Sequence, residues 1–139
     1  MLNIPEYKDH ERIFRFFEEI SEIPHGSGNT RMIADYLVKF AKDRSLEYMR
    51  DEYDNVVIRK GATKGYEGRP GVIIQGHLDM VAEKTPDSAK DMEKEGLELY
   101  RDGDLIRARG TTLGADDGVS IAYGLALLDS DDEIGRAHV

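Results

Sequence analysis

Two short stretches of this chain bring together side chains capable of acid–base or metal chemistry. The first, Gly76-His77-Leu78-Asp79-Met80, follows the apolar run Val72-Ile73-Ile74. Residues i and i+2 of an extended chain point to one side, so His77 and Asp79 can converge on one spot. This pairing suits a metal ligand with its orienting partner: one ring nitrogen coordinates, while a carboxylate at the other fixes the tautomer and sharpens basicity. It equally suits a strand-end histidine that caps a backbone group, with Asp79 merely opening a loop. The second stretch, Gly114-Ala115-Asp116-Asp117-Gly118, sets two carboxylates side by side. Such a pair repels unless it is solvated or neutralised, and a divalent cation is one way to hold it in a partly buried turn. The competing reading is a helix N-terminus, where Asp caps free N–H groups and favours the dipole. Both stretches lie where one element gives way to another, and both are framed by glycines that let backbones approach closely. Their occurrence in one chain shifts the balance toward a shared site.

The elements that must position these residues are legible from hydrophobic period. Residues 9–22 place Ile13, Phe16, Phe17 and Ile20 at helical spacing, and the helix must stop near Ile23-Pro24 because a residue before proline is pushed out of the helical region. The turn His25-Gly26-Ser27-Gly28-Asn29 offers Ser27 or Asn29 as an N-cap for a second helix, whose stripe is Ile33, Tyr36, Leu37, Phe40 and Ala41. The period then shortens. Residues 46–50 and the β-branched run 55–59 flank a polar connection suited to a hairpin. After a Gly-rich loop, residues 71–76 form a short apolar run expected to be a central strand buried on both faces. Residues 85–95 are polar and lack a stripe, so they should cross the surface as a long excursion. Residues 97–100 and 104–108 should pair as a second hairpin around Asp102-Gly103. A third helix is expected over residues 118–128, with Val119, Ala122, Leu125, Ala126 and Leu128 apolar. Helices and strands alternate, which favours an α/β layered fold over a bundle or a sandwich.

Composition removes several functions. Among 139 residues, 28 Asp plus Glu outnumber 19 Lys plus Arg, giving a net charge of −9, and no basic cluster exists that would neutralise phosphates. A nucleic-acid partner is therefore not expected. No apolar run approaches the ~20 residues of a membrane span, and the start MLNIPEYKDHERIF has neither a basic nor an apolar leader region, so no membrane association is expected and the cytoplasm is the default location. With no cysteine in the chain, thiolate metal sites, disulfides and cysteine nucleophiles are excluded, and a metal must use His, Asp or Glu.

Three motifs, Ile23-Pro24-His25-Gly26-Ser27-Gly28-Asn29, Gly76-His77-Leu78-Asp79-Met80-Val81 and Gly110-Thr111-Thr112-Leu113-Gly114-Ala115-Asp116-Asp117-Gly118, stand in the order and spacing of the aminoacyl-histidine dipeptidases. The chain resembles that family of two-zinc, aminoacylase- and carboxypeptidase-type exopeptidases from about residue 11 to residue 128, and Asp54-Asn55-Val56 and Asp102-Gly103-Asp104 fit the pattern as well. The resemblance implies a partial α/β/α layered zinc-exopeptidase catalytic domain with a mixed sheet, truncated before its remaining strands and the lid and dimerisation domain. It implies two divalent metal ions, most readily zinc, with manganese or cobalt as alternatives. In it His77 binds one metal, Asp116 bridges both, and Asp79 is the catalytic-site carboxylate that orients His77. Asp117 falls on a variable position, and the peptide bond after the bridging Asp is often cis in such enzymes. The implied reaction is hydrolysis of dipeptides ending in histidine by a water held between two cations about 3.5–4 Å apart, in an enzyme that forms a homodimer when complete.

The resemblance also marks what this chain lacks. The paired glutamates that supply base and ligand, a further acidic ligand and a distal histidine would follow the last residue. Residues 1–132 are thus expected to be the amino-terminal part of the catalytic domain, and residues 133–139, Glu-Ile-Gly-Arg-Ala-His-Val, resemble translated sequencing adapter and are expected to be non-native. The isolated chain should be inactive and bind zinc weakly at best. A related deacylase or aminopeptidase, or a non-catalytic metal-binding module, is the alternative. Elsewhere, His10 is expected to be solvated and His25 to be an ordinary turn residue. Gly26-Ser27-Gly28 lacks the Gly-Lys-Ser/Thr ending of a phosphate loop, and the acidic run at residues 129–133 lacks the glycine of a calcium loop.

Overall fold

The computed structural model describes residues 10–131 and the backbone of residues 137–138. In chain order the elements are α1 (Glu11–Ser21), α2 (Arg31–Asp43), β1 (Glu47–Arg50), β2 (Val56–Lys60), β3 (Val72–Ile73), β4 (Leu99–Asp102), β5 (Leu105–Ala108), α3 (Ala115–Asp129) and β6 (Ala137–His138). The chain is a mixed α/β fold. One sheet has the order β1-β2-β6-β3, with β1, β2 and β6 antiparallel in turn and β3 parallel to β6, while β4 and β5 form a separate hairpin. Of the seven residues expected to be non-native, only the backbone of Ala137 and His138 falls within the described residues.

The helices follow their stripes. In α1, Phe16, Phe17 and Ile20 are buried, and α1 packs against α3 through Ile121, Ala122, Leu125 and Leu128. In α2, Ile33, Leu37, Phe40 and Ala41 join the same core, along with Ile58 from β2. Phe16 and Phe40 meet edge to face, with centroids 5.5 Å apart and planes at 76°, the geometry favoured by the ring quadrupoles. The end of α2 shows how local chemistry shapes the chain. Ser45 takes a left-handed φ of 55°, so the N–H of Leu46 reaches the carbonyl of Ala41 (2.9 Å) and that of Ser45 reaches Lys42 (3.0 Å). This is the paired bonding of a Schellman stop, and it sends Leu46 back onto the core. The hairpin that follows is pinned by Asp51, whose carboxylate accepts the backbone N–H of Tyr53 and of Asn55 at 2.9 Å each.

Polar groups fasten the helices together. Asp129, near the end of α3, receives Arg15 from α1 (3.0 Å) and Arg44 from the end of α2 (2.7 Å), with Arg12 at 3.3 Å. The Arg44 guanidinium also stacks on Phe40, 3.8 Å from the ring centroid. Lys60 of β2 donates to the carbonyl of Leu128 (3.1 Å) and to that of Ser130, which places a positive charge on the carbonyl end of α3.

Several expectations are corrected. Neither Ser27 nor Asn29 caps α2: the preceding residue is Thr30, which makes no side-chain cap, because Asn29 donates to the Glu93 carbonyl (3.0 Å) and Ser27 donates to Asp79. The second hairpin turns on Gly103-Asp104, not Asp102-Gly103; Asp102 pairs with Leu105, and the positive φ of 61° sits at Gly103 in the first central position. On α3, Val119 is exposed and Ile121 takes the inward place. The largest correction concerns the expected central strand. Only Val72 and Ile73 form β3, and they are 56% and 76% exposed. The reason lies in the ladder: among the described residues, β6 joins β2 to β3 only at Arg59 and Lys60 on one side and at Val72 and Ile73 on the other. Beyond those pairs the space between the strands is a cavity of about 500 Å³, bordered by Leu37, Ile58, Ile73, Ile74, Ile121 and Leu125.

Candidate metal centre

His77 lies past the end of β3, in the segment that leaves the sheet, and Asp116 lies in the opening of α3, 39 residues later. The structure brings them together. His77 Nε2 is 2.9 Å from Asp116 Oδ1, and on the opposite edge of the ring Nδ1 is 2.8 Å from the Asp79 carbonyl and 3.3 Å from Asp79 Oδ1. Asp79 thus holds the imidazole with its backbone first and its carboxylate second. The Asp79 oxygens and Asp116 Oδ1 can only accept, so with no metal bound each ring nitrogen is placed to donate, Nδ1 toward Asp79 and Nε2 toward Asp116.

Local backbone explains why α3 opens this way. Gly114 has a φ of 69°, a conformation that glycine adopts without penalty, and a Cβ built there would come 2.7 Å from Met80 Sδ. Asp116 (φ −97°, ψ 102°) and Asp117 (φ −115°, ψ 27°) then depart from helical dihedrals, and regular helix begins at Gly118, as its sequence suggested. The Asp116–Asp117 peptide bond is cis. This break turns the two neighbouring carboxylates apart. Asp116 is 97% exposed at its side chain and faces His77, whereas Asp117 accepts the hydroxyl of Ser120 at 2.5 Å and so serves the first turn of its own helix. Asp117 also lies so close to Gly76 that a Cβ there would come 2.8 Å from Asp117 Oδ2. Of this acidic pair only Asp116 faces His77, and neither member caps a backbone N–H of α3, since Asp117 bonds a side-chain hydroxyl instead.

The electrostatics match the contacts. The hydrogen bond to Asp116, then the Asp79 carbonyl, raise the His77 pKa above that of an ordinary imidazole. The Ser27 hydroxyl is the main cause holding the Asp79 carboxyl below the usual carboxylate range, with the charge of His77 adding to it. Sequence reasoning treated Ser27 as a helix cap and missed this bond; its place in a glycine-flanked turn was the available signal. His25, two residues earlier, is only 4% exposed, and burial lowers its pKa while Nδ1 donates to the Ile23 carbonyl at 2.6 Å. It serves the turn. His10 is exposed, just ahead of α1.

An imidazole nitrogen and a carboxylate oxygen that face each other make a donor set suited to zinc or a similar divalent ion. Among the described residues, no group of three or more His, Asp or Glu side chains is gathered closely enough to enclose a metal. The residues present fit part of a coordination sphere and leave the rest open.

No family model matches the chain. Over 122 residues it is 41% identical to the cytosol non-specific dipeptidase of Escherichia coli (strain K12), a match that covers 88% of this chain and 25% of that protein. The crystal structure of aminoacylhistidine dipeptidase from Vibrio alginolyticus superposes with a TM-score of 0.89 at 39% identity, covering 92% of this chain and 26% of that one. A tripeptidase from Staphylococcus aureus (TM-score 0.71) and an aminopeptidase from Bacillus cereus (TM-score 0.69), both 22% identical, share the fold. Among the described residues no helix is long and apolar enough to cross a membrane. The chain spans about a quarter of the length of the dipeptidases it matches, and over that quarter it is similar to them in sequence and shares the fold of the aminoacylhistidine dipeptidase structure.

Proposed function

We propose that this chain is the amino-terminal portion of a metal-dependent dipeptidase that hydrolyses the amide bond of dipeptides, those ending in histidine among them, in the cytoplasm. The observation that carries the reading is the approach of His77 Nε2 to Asp116 Oδ1 at 2.9 Å across 39 residues, with the other ring nitrogen held by Asp79. In this reading His77 and Asp116 are metal ligands, Asp116 shared between two ions, and Asp79 orients the ring. Two divalent cations, most readily zinc, would polarise the scissile carbonyl and make water a competent nucleophile near neutral pH. The protein's own contribution is positional. Nδ1–H donates to Asp79, so a cation that displaced the Nε2 hydrogen would find that nitrogen already aimed beside Asp116, and the adjacent carboxylate raises its basicity. Asp116, exposed and free of the helix contacts that occupy Asp117, is able to pivot onto a cation without disturbing α3.

Two donors do not complete a site, so the 139-residue chain alone is expected to give no turnover of a histidine dipeptide above a metal-only blank. The decisive experiment places residues 10–131 in the frame of the Escherichia coli dipeptidase, in place of the segment they match. That chimera should hydrolyse dipeptides with zinc or manganese present. His77→Ala in the chimera should lose one equivalent of metal and its turnover, and Asp79→Ala should lower metal affinity about 10- to 100-fold. Wild-type metal content and rate in both variants would remove these residues from the site.

A further inference from the structure

The Ser27 hydroxyl has no part in the reading above, yet its position is unusually well determined. The turn that carries it is stapled to the segment leaving the site: Met80 N–H donates to the His25 carbonyl (3.0 Å) and Ser27 N–H donates to the Met80 carbonyl (3.1 Å), a parallel bridge between Gly26 and Met80. Gly26 has no room for a side chain, since a Cβ would come 2.7 Å from the Ala82 Cβ. The His25 ring, buried at 4% exposure and bonded to the Ile23 carbonyl, fills the inside of the turn. From this frame Ser27 Oγ donates to Asp79 Oδ2, across 52 residues of sequence, and so leaves Oδ1 as the oxygen facing His77 Nδ1 at 3.3 Å.

We infer that Ser27 is a positioning residue for the metal centre: its hydroxyl selects the rotamer of Asp79, and through Asp79 it holds the His77 ring with Nδ1 directed at Asp79 and Nε2 directed at the position beside Asp116 that a cation would take. Without the hydroxyl, the Asp79 carboxylate is free to rotate toward solvent, and Nδ1 keeps only the backbone carbonyl as acceptor. The ring is then less firmly oriented, and Nε2 is aimed less consistently at the position a cation would take. This inference rests on the ligand assignment of His77.

The test is a zinc titration of the 139-residue chain labelled with ¹⁵N at histidine, in which long-range ¹H–¹⁵N correlation reads the response of His77 Nε2. Wild type and Ser27→Thr, which retains the hydroxyl, should show the Nε2 resonance shift over the same range of zinc concentration. Zinc titrated into each sample should bind Ser27→Ala more weakly by up to about tenfold, the lower end of the loss seen when an outer partner of a ligand is removed. The thermal midpoints of the three proteins should agree. The same zinc midpoint in Ser27→Ala and wild type, a weaker midpoint in Ser27→Thr as well, or a failure of Ser27→Ala to fold while Ser27→Thr folds would each overturn the inference. If instead zinc leaves the His77 Nε2 resonance unmoved in wild type, the ligand assignment fails.

Discussion

The two ends of α3 differ in how they are held. At its far end, Asp129 is gripped by arginines from α1 and the end of α2, Lys60 covers the last carbonyls, and Leu125 and Leu128 are almost wholly buried. At its opening, Asp116 is 97% exposed, His77 is 51% exposed, and the strand leading to His77 has two paired residues with both faces largely open to solvent. One end supplies stability, and the other holds polar groups in readiness. This division teaches that the scaffold does not depend on the site, so damage at one end should be read out in folding and damage at the other in ligand binding.

The largest effect should come from the packed end. Phe16→Ala removes a side chain 1% exposed at the contact of α1, α2 and α3, and should cost about 3–5 kcal/mol in urea denaturation, a large share of the about 5–15 kcal/mol that holds an ordinary domain folded. A cost under about 1 kcal/mol would break the comparison. Next, Asp129→Ala leaves the guanidinium groups of Arg15 and Arg44 without their shared acceptor and should cost about 1.5–3 kcal/mol, since bonds to charged groups exceed neutral ones. At the open end, His77→Ala should shift stability by no more than about 0.5 kcal/mol, as expected of exposed positions, while removing the response of the chain to added zinc in calorimetry. A large loss of stability there would show that the site is part of the core.

The smallest effect is one of pH, and its sign follows from the pairing. The His77 pKa is raised by Asp116, so its contribution to stability is complete below the unfolded imidazole pKa and is lost as pH rises through the higher folded value. The Asp79 pKa is lowered by Ser27, so its contribution is present above the unfolded carboxylate pKa and is lost as pH falls through the lower folded value. The His77 ring proton should therefore titrate above a free imidazole in NMR, and Asp116→Asn should bring its midpoint down. An unchanged midpoint would mean that the 2.9 Å pair is not formed in solution.

Much of this division was legible in the residues themselves. The stripes of α1 and α2, the Asp51 turn and the start of regular helix at Gly118 follow from period and turn chemistry, which are local. The pairing of His77 with Asp79 was likewise available from their i, i+2 spacing. What was not available depends on contacts between distant segments. An apolar run such as Val72-Ile73-Ile74 signals burial, yet the neighbour that would bury it is a matter of the whole sheet, and here the ladder stops after two pairs. Ser27 looked like a helix cap because Ser before a helix commonly is one; only the bridge between Gly26 and Met80 redirects its hydroxyl to a carboxylate 52 residues away. Residue type alone did not divide Asp116 from Asp117; the family resemblance did, and the structure turns Asp116 toward His77 and Asp117 toward Ser120.

The left-handed turn at Gly114 has a mechanical consequence. Because Met80 occupies the space above it, the loop that carries Asp116 packs directly on the loop that carries His77 and Asp79. A side chain placed at residue 114 would have to displace the Met80 thioether, so the close approach of the two donor-bearing loops relies on a residue that bears no functional group at all.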